Sequence, residues 1–239
     1  MKNLAIIPAR SGSKGLPHKN IKLLNGLPLM AYTIRAAHNA DVFDTVMVST
    51  DSESYGEIAK KHGAEVPFLR SKTQSTDSAD SWSVVREVLL AYAKDGKTFD
   101  TVCLLQPTSP LRTSEDIVAG YRLLQKKKAD AVTSVCEADH SPLWCMTLEE
   151  DKSLNDFRRN LPTGPRQQLS KFYRLNGAVY IRKVRYLEND VEIIHANEYA
   201  LVMDTKRSVD IDTDLDFQIA QLLINSIEKK EQVLWKKPY

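Results

Sequence analysis

Four short runs rich in Val, Ile and Leu punctuate the first half of the chain: NLAIIPA (3–9), TVMVST (45–50), TVCLLQ (101–106) and AVTSVC (131–136). Continuous apolar runs of this length are patterned for strands buried on both faces. Between them, LPLMAYTIRAAHNA (27–40), SESYGEIAKKHGA (52–64), SWSVVREVLLAYAKDG (81–96) and SEDIVAGYRLLQKKKA (114–129) repeat apolar residues at three- and four-residue steps. That is the spacing of helices with one apolar face. Strand and helix in alternation predict right-handed crossovers and a mainly parallel sheet covered by helices, an α/β fold. Such sheets bind ligands beyond the carboxyl ends of their strands, which is where Arg10, Asp51 and Gln106 fall.

The alternation breaks between about Glu137 and Lys171. LEEDKSLNDFRRNLPTGPRQQLSK (148–171) is polar, with Pro162, Gly164 and Pro165. A long stretch without apolar periodicity inside a compact domain is uncommon and often functional. It reads as a loop, a flap or a small excursion used for association. GAVYIRK (177–183) resumes as a strand, and VDIDTDLDFQIAQLLINSIEKKE (209–231) as a strand edge followed by a long helix. Thr213 or Asp214 stands where that helix needs a cap. QVLWKKPY (232–239) reads as a tail packed by Trp235.

Composition narrows the function classes. The 239 residues suit one large domain, and 42% apolar with 27% charged residues is an ordinary globular balance. The net charge of +2 argues neither for nucleic acid nor for an anionic membrane. No apolar run approaches the roughly 18–20 residues of a membrane span. The N-terminus enters a strand at once, without a signal-peptide layout, so a cytoplasmic location is expected. Cys103, Cys136 and Cys145 show no paired metal spacing and read as free thiols, Cys103 and Cys136 within strand-like runs.

Three stretches carry candidate chemistry. IIPARSGSKGLPHKNI (6–21) starts as a strand and then presents Arg10, Lys14 and Lys19 with Gly12 and Gly15. Glycines admit close backbone approach, and serines and amides donate to anionic oxygens. The loop has neither the Gly-Lys-Ser/Thr ending of a P-loop nor G-x-G-x-x-G spacing. It reads either as a triphosphate cradle or as a solvated basic loop. In VDIDTDLDF, alternation turns Asp210 and Asp212 to one side if the segment is extended. Two adjacent carboxylates need a cation or solvent, and Mg²⁺ is commonly held by one or two carboxylates with substrate phosphates and water. Asp214 and Asp216 suit the positive end of the following helix. LLQPTSPLR (104–112) fixes a rigid turn after a buried strand. It presents the Gln106 amide, a base-edge reader or a turn cap, and Arg112, placed to neutralise Glu115 and Asp116. His18 reads as a surface residue of the basic loop.

Taken together, IIPARSGSKGLPHKNI, LLQPTSPLR, FYRLNGAVYI and DIDTDLDF, in this order and over nearly the whole chain, resemble the CMP-N-acylneuraminate cytidylyltransferases, the CMP-sialic acid synthetases. Gly12, Lys14, Gly15 and the Lys19–Asn20 pair depart from the first loop of the sister enzymes for 3-deoxy-manno-octulosonate. The resemblance implies a Rossmann-like nucleotidyltransferase fold over residues 1–239 with a dimerisation insertion near 137–172. It implies a homodimer that uses Mg²⁺, takes CTP as donor and accepts a nine-carbon α-keto acid sugar. By motif it places Arg10, Ser13, Lys14, Lys19, Asn20 and Ser81 around CTP, with Arg10 and Lys19 nearest the phosphates. It places Gln106, Arg166 and Tyr180 at the sugar, Arg166 reaching from the other subunit, and Asp210 and Asp212 on the metal. Ser170 stands where the family often has Pro, which bears on the register of Arg166. The acceptor is expected to be N-acetylneuraminate, with pseudaminic or legionaminic acid as alternatives. A regulatory nucleotide-binding module without turnover would need the basic loop but not the Asp210/Asp212 pair.

Overall fold

A computed structural model describes residues 1–12, 15–71, 73–75, 80–148, 150–155, 157, 170–187 and 197–235, with side chains in the last helix as far as 226. Ser13, Lys14 and Arg166 lie outside the described residues.

The apolar runs supply four strands of a six-stranded sheet. It is built from β1 (Asn3–Pro8), β4 (Thr45–Ser49), β5 (Thr101–Leu104), β6 (Ala131–Glu137), β7 (Tyr173–Lys183) and β8 (Glu198–Met203). A small hairpin, β2 (Leu23–Leu24) with β3 (Leu27–Pro28), stands apart. The sheet order is β4-β1-β5-β7-β6-β8. β1 pairs in parallel with β4 and β5, and β6 pairs in parallel with β8. β7 runs antiparallel to both β5 and β6. The sheet is thus mainly parallel, as the alternation predicts, with one reversed strand wedged into its middle.

Helices cover both faces. α1 (Leu29–Ala40), α2 (Glu53–Lys61) and α4 (Ser114–Lys126) pack on one side, where Ala5, Ile7, Val48, Cys103 and Ile181 meet Met30, Ile34, Ala59 and Ile117. On the other side α3 (Ser81–Lys94) lays Val85, Val88 and Tyr92 against Leu4, Ile6, Met47 and Leu104. Alternate residues of each strand thus enter opposite cores, as period two requires. α5 (Asp214–Trp235) closes a third cluster, in which Ile211, Phe217, Ala220 and Ile224 pack on Leu16, Leu24, Leu29 and Leu111.

Several boundaries differ from the sequence reading. The edge strand β8 has no counterpart among the predicted strands, because its outward residues are exposed and blur the pattern. Residues 209–212 form no strand: the Ile211 amide donates to the Thr108 carbonyl at 2.9 Å, outside any ladder. α5 continues to Trp235, through the first half of the expected tail. Thr213 is its cap, accepting from the Asp216 amide at 3.3 Å while Asp216 Oδ2 accepts from the Thr213 amide at 2.7 Å. This reciprocal pair satisfies two orphan donors of the helix start. Cys103 and Cys136 are buried free thiols and Cys145 is an exposed one.

Candidate active site

The basic loop, the turn after β5, the reversed strand β7 and the segment before α5 converge at the carboxyl ends of β1, β4 and β5. Each is held by bonds from distant sequence. Asp51, two residues past β4, accepts from the Ser11 amide at 2.8 Å and from the Ser11 hydroxyl at 2.9 Å. Asn20, only 5% exposed, donates its amide to the Arg10 carbonyl at 3.0 Å and so folds the loop back on its own start. Gly15 has a packing reason to be glycine: a Cβ there would lie 2.6 Å from the Asp212 carbonyl oxygen. The basic loop is therefore seated directly on the acidic segment.

Lys19 makes that junction chemical. Its Nζ donates to the Ile211 carbonyl at 2.6 Å and to Asp212 Oδ1 at 3.0 Å. The Lys19 side chain is largely buried, whereas that of Asp212 is three-quarters exposed. Asp210 faces inward instead. Burial raises its carboxyl above the ordinary carboxylate range. The Thr108 hydroxyl opposes the shift, the Asp212 charge adds to it, and Lys19 and Arg174 oppose it. Its Oδ1 is buried and has no hydrogen-bond partner. A buried acceptor without a donor is costly unless something else satisfies it. Among the described residues no three His, Cys, Asp or Glu side chains gather as a metal cage. Two carboxylates, one with an unpartnered buried oxygen, nevertheless match the sparse protein share of a Mg²⁺ site completed by phosphates and water.

Gln106 and Asp210 meet at Gly177. This glycine has φ +74°, and a Cβ on it would overlap Gln106 Oε1 and lie 3.5 Å from Asp210 Oδ2. Tyr180 follows on β7, half-buried, its hydroxyl pushed up by burial and then by the Asp210 charge. Its ring meets Trp82 edge-on, with centroids 6.3 Å apart, and the Arg182 guanidinium lies 4.0 Å from the Trp82 ring centroid. Ser81 opens α3 beside this wall, where Asp80 caps the helix by accepting from the Trp82 and Ser83 amides at 3.1 and 3.3 Å.

Two further arginines belong to this neighbourhood, and one leaves it. Arg70, 8% exposed, donates to the Ser49 carbonyl at 2.7 Å and the Ser49 hydroxyl at 3.1 Å. Burial lowers it to about 10, Asp51 and Glu87 oppose that, and Arg10 adds to it, so it lies within the field of the basic loop. Arg174 acts on Asp210 from the start of β7. It stands in the FYRLNG block, yet no spacing rule singles it out. Arg112, by contrast, does not serve Glu115 and Asp116. It is 3% exposed and donates to the Ala178 carbonyl at 2.7 Å, the Gln106 carbonyl at 3.2 Å and Thr33 Oγ1 at 2.6 Å. Asp116 is paired by Arg207 at 3.0 Å instead. Arg112 turns inward because the Gln106 carbonyl after β5 and the Ala178 carbonyl of β7 face the core and need a donor. His18 is exposed, as expected, with Nδ1 3.0 Å from the Tyr55 hydroxyl.

An α/β sheet with a basic loop after β1 and an acidic pair opposite it defines an enzyme of the nucleotidyltransferase type. The chain belongs to the cytidylyltransferase family, whose model matches residues 4–236. It is 35% identical over 231 residues to the CMP-N,N'-diacetyllegionaminic acid synthase of Legionella pneumophila, covering 94% of this chain and 97% of that one. It is 36% identical over 220 residues to the N-acylneuraminate cytidylyltransferase of Escherichia coli; the match covers 92% of this chain but only 51% of that longer protein. A solved CMP:2-keto-3-deoxy-manno-octonic acid synthetase complexed with CTP superposes with a TM-score of 0.73 at 14% identity, over 95% of this chain and 99% of that one. At that identity the likeness concerns the fold.

Proposed function

We propose that the protein transfers CMP from CTP to the anomeric hydroxyl of N-acetylneuraminate, releasing pyrophosphate, with Mg²⁺ held by Asp210 and Asp212. The observation that carries this reading is the junction itself. Lys19 Nζ lies 3.0 Å from Asp212 Oδ1, beside an Asp210 oxygen that has no partner. The names of the two relatives favour CTP and a sialic-acid-like acceptor, and they divide over which acid it is. Legionaminic or pseudaminic acid is the alternative acceptor.

In this mechanism the acceptor oxygen attacks the α-phosphorus, the bond from that phosphorus to the β-phosphate bridge breaks, and the hydroxyl proton leaves to solvent. Nucleotidyl transfer needs mainly positioning and charge neutralisation. Bound Mg²⁺ would supply charge on the phosphates and acidify the attacking hydroxyl. Arg10 and Lys19 stabilise the negative charge that moves onto pyrophosphate, as fixed donors do in a site that needs no reorganisation. By the motif resemblance Ser13, Lys14 and Asn20 are assigned to CTP with Arg10 and Lys19, and Ser81 to the cytidine. Gln106 and Tyr180 border the acceptor.

A homodimer fits the outer part of the sheet. Leu175, Val135 and Val202 pair side by side across β7, β6 and β8, so they share one face, and Leu175 and Val202 are 63% and 60% exposed. Exposed rows of this kind are rare on a free surface. The motif resemblance assigns Arg166 to the acceptor carboxylate of the other subunit in such a dimer.

The test is pyrophosphate release from CTP with and without Mg²⁺, offering N-acetylneuraminate, legionaminate, pseudaminate and 3-deoxy-manno-octulosonate in parallel. Metal-dependent release with N-acetylneuraminate upholds the reading, and release with another nine-carbon acid alone moves the acceptor. Release independent of metal, or none with folded protein, overturns it.

A further inference from the structure

Behind Asp210 lies a polar cluster that no step of the reaction uses. Asn176 is 1% exposed, and Ser134, Ser208 and Ser109 are fully buried. The Asn176 Oδ1 accepts from the Ser134 hydroxyl at 2.6 Å and from the Ala178 amide at 3.3 Å. Its Nδ2 donates to Ser208 Oγ at 2.9 Å, and Ser208 Oγ in turn donates to the Asp204 carbonyl at 2.8 Å. The Asn176 carbonyl accepts from the Ser109 hydroxyl at 3.4 Å. The Asn176 side chain thus ties β6 and the segment before α5, and its main-chain carbonyl ties the turn after β5, to a single point of β7.

That point is where β7 is irregular. The register of β6 with β7 shifts between Thr133 and Val135, and Gly177, next to Asn176, holds a positive φ against Gln106 and Asp210. Ser208 stands two residues before Asp210. The Ile211 amide bonds the Thr108 carbonyl from the other side. The segment 208–211 is therefore pinned at both ends, and its height against Gly177 sets the distance from Asp210 to Gln106. Apolar residues in place of Asn176 and Ser208 would leave the Ser134 hydroxyl, the Ala178 amide and the Asp204 carbonyl without these partners, so the cluster stands or falls as a unit. A satisfied buried network specifies one arrangement where an apolar contact tolerates several.

We infer that Asn176, through Ser208, is a positioning residue that holds Asp210 in place to bind the metal. The inference rests on the reading of Asp210 as a metal ligand. Residues behind a ligand fix its orientation, and their loss weakens metal binding by roughly 10- to 100-fold. Ser134 bonds the same amide but runs to the Val179 amide in the sheet, at 2.7 Å, and away from Asp210. It serves as the control.

The experiment measures Mn²⁺ binding by electron paramagnetic resonance in the presence of CTP, with thermal midpoints, for the full chain and for Ser208→Ala, Ser208→Thr and Ser134→Ala. The expected result is a Mn²⁺ dissociation constant raised roughly tenfold in Ser208→Ala and restored in Ser208→Thr, which keeps the hydroxyl. Ser134→Ala should lower the midpoint and leave Mn²⁺ binding unchanged. If Ser208→Ala does not fold, Asn176→Asp, which keeps volume and removes the amide donor, carries the same expectation. Unchanged Mn²⁺ binding in the Ser208 or Asn176 variant overturns the inference, as does an equal loss in Ser134→Ala. Failure of the unsubstituted protein to bind Mn²⁺ with CTP instead removes Asp210 as a metal ligand, and the inference with it.

Discussion

Lys19 and Asp212, 193 residues apart in the chain, are joined by a 3.0 Å ion pair, and the same ammonium holds the Ile211 carbonyl at 2.6 Å. The pair closes the candidate site from both ends of the sequence. On the proposed reading the ammonium has two claims on it once CTP binds: the acidic segment and the phosphates.

Lys19→Ala should therefore lower turnover by about a hundred- to a thousandfold, the usual loss of one preorganised donor to a developing anion. Pyrophosphate release measures it, with circular dichroism to establish that the fold is kept. Turnover near that of the unsubstituted protein would remove Lys19 from the phosphate site.

Asp212→Asn should remove most turnover and leave the fold intact, because its side chain is three-quarters exposed and buries nothing. Titrating Mg²⁺ into the variant checks the cause. A loss that high metal concentrations partly recover marks a ligand, and near-normal turnover refutes the assignment.

Asp210 predicts a pH dependence of stability. Its carboxyl is raised in the fold, chiefly by burial. The native state then binds a proton more tightly than the unfolded chain, so metal-free protein loses stability as pH rises from the ordinary carboxylate range through the raised native value. Asp210→Asn should have the higher thermal midpoint at neutral pH without metal, the gap narrowing in acid. Addition of Mg²⁺ and CTP should stabilise the unsubstituted protein and not the variant. A variant that melts lower at neutral pH without metal would contradict the sign.

Gly177→Ala places a Cβ on Gln106 Oε1 at a backbone with φ +74°. The backbone alone costs about 1–3 kcal/mol, and the Gln106 side chain must move. We expect a lower unfolding midpoint in urea and a larger loss of turnover than of CTP affinity, since the proposed function puts the displaced Gln106 at the acceptor. Equal turnover would show that Gln106 does not need its observed place.

Arg112→Ala should destabilise without touching substrate. It removes a buried guanidinium and leaves the Ala178 and Gln106 carbonyls and Thr33 Oγ1 without that donor. A loss of about 3 kcal/mol or more in urea unfolding is expected, from unmet acceptors and the cavity together. A change below about 1 kcal/mol would mean that water replaces the side chain.

The fold was largely legible because its core strands and helices repeat at their own periods. β1, β4 and β5 are buried on both faces and β6 on one, all four read as plain apolar runs, and α1 to α4 read from their apolar steps. β8 escaped because one of its faces is open, so Glu198, Ala200 and Val202 carry no burial signal. The segment 209–212 reads as a strand edge because its Asp residues alternate, whereas its bonds run to Thr108, Lys19 and Asp216 and not to a neighbouring strand.

The sequence by itself determined the class of fold, the presence of a basic loop and an acidic pair, and through its motifs the kind of enzyme. These are local properties: periodicity and residue chemistry are written within a few positions of each other. Only the tertiary structure decided that Lys19 meets Asp212, that Asp210 turns inward with an unpartnered oxygen, that Arg112 serves buried carbonyls rather than its acidic neighbours, and that Asn176 braces the segment carrying Asp210. Each is a contact between loops far apart in the chain. Its partner is set by where the sheet carries those loops, and no spacing along the sequence contains that distance.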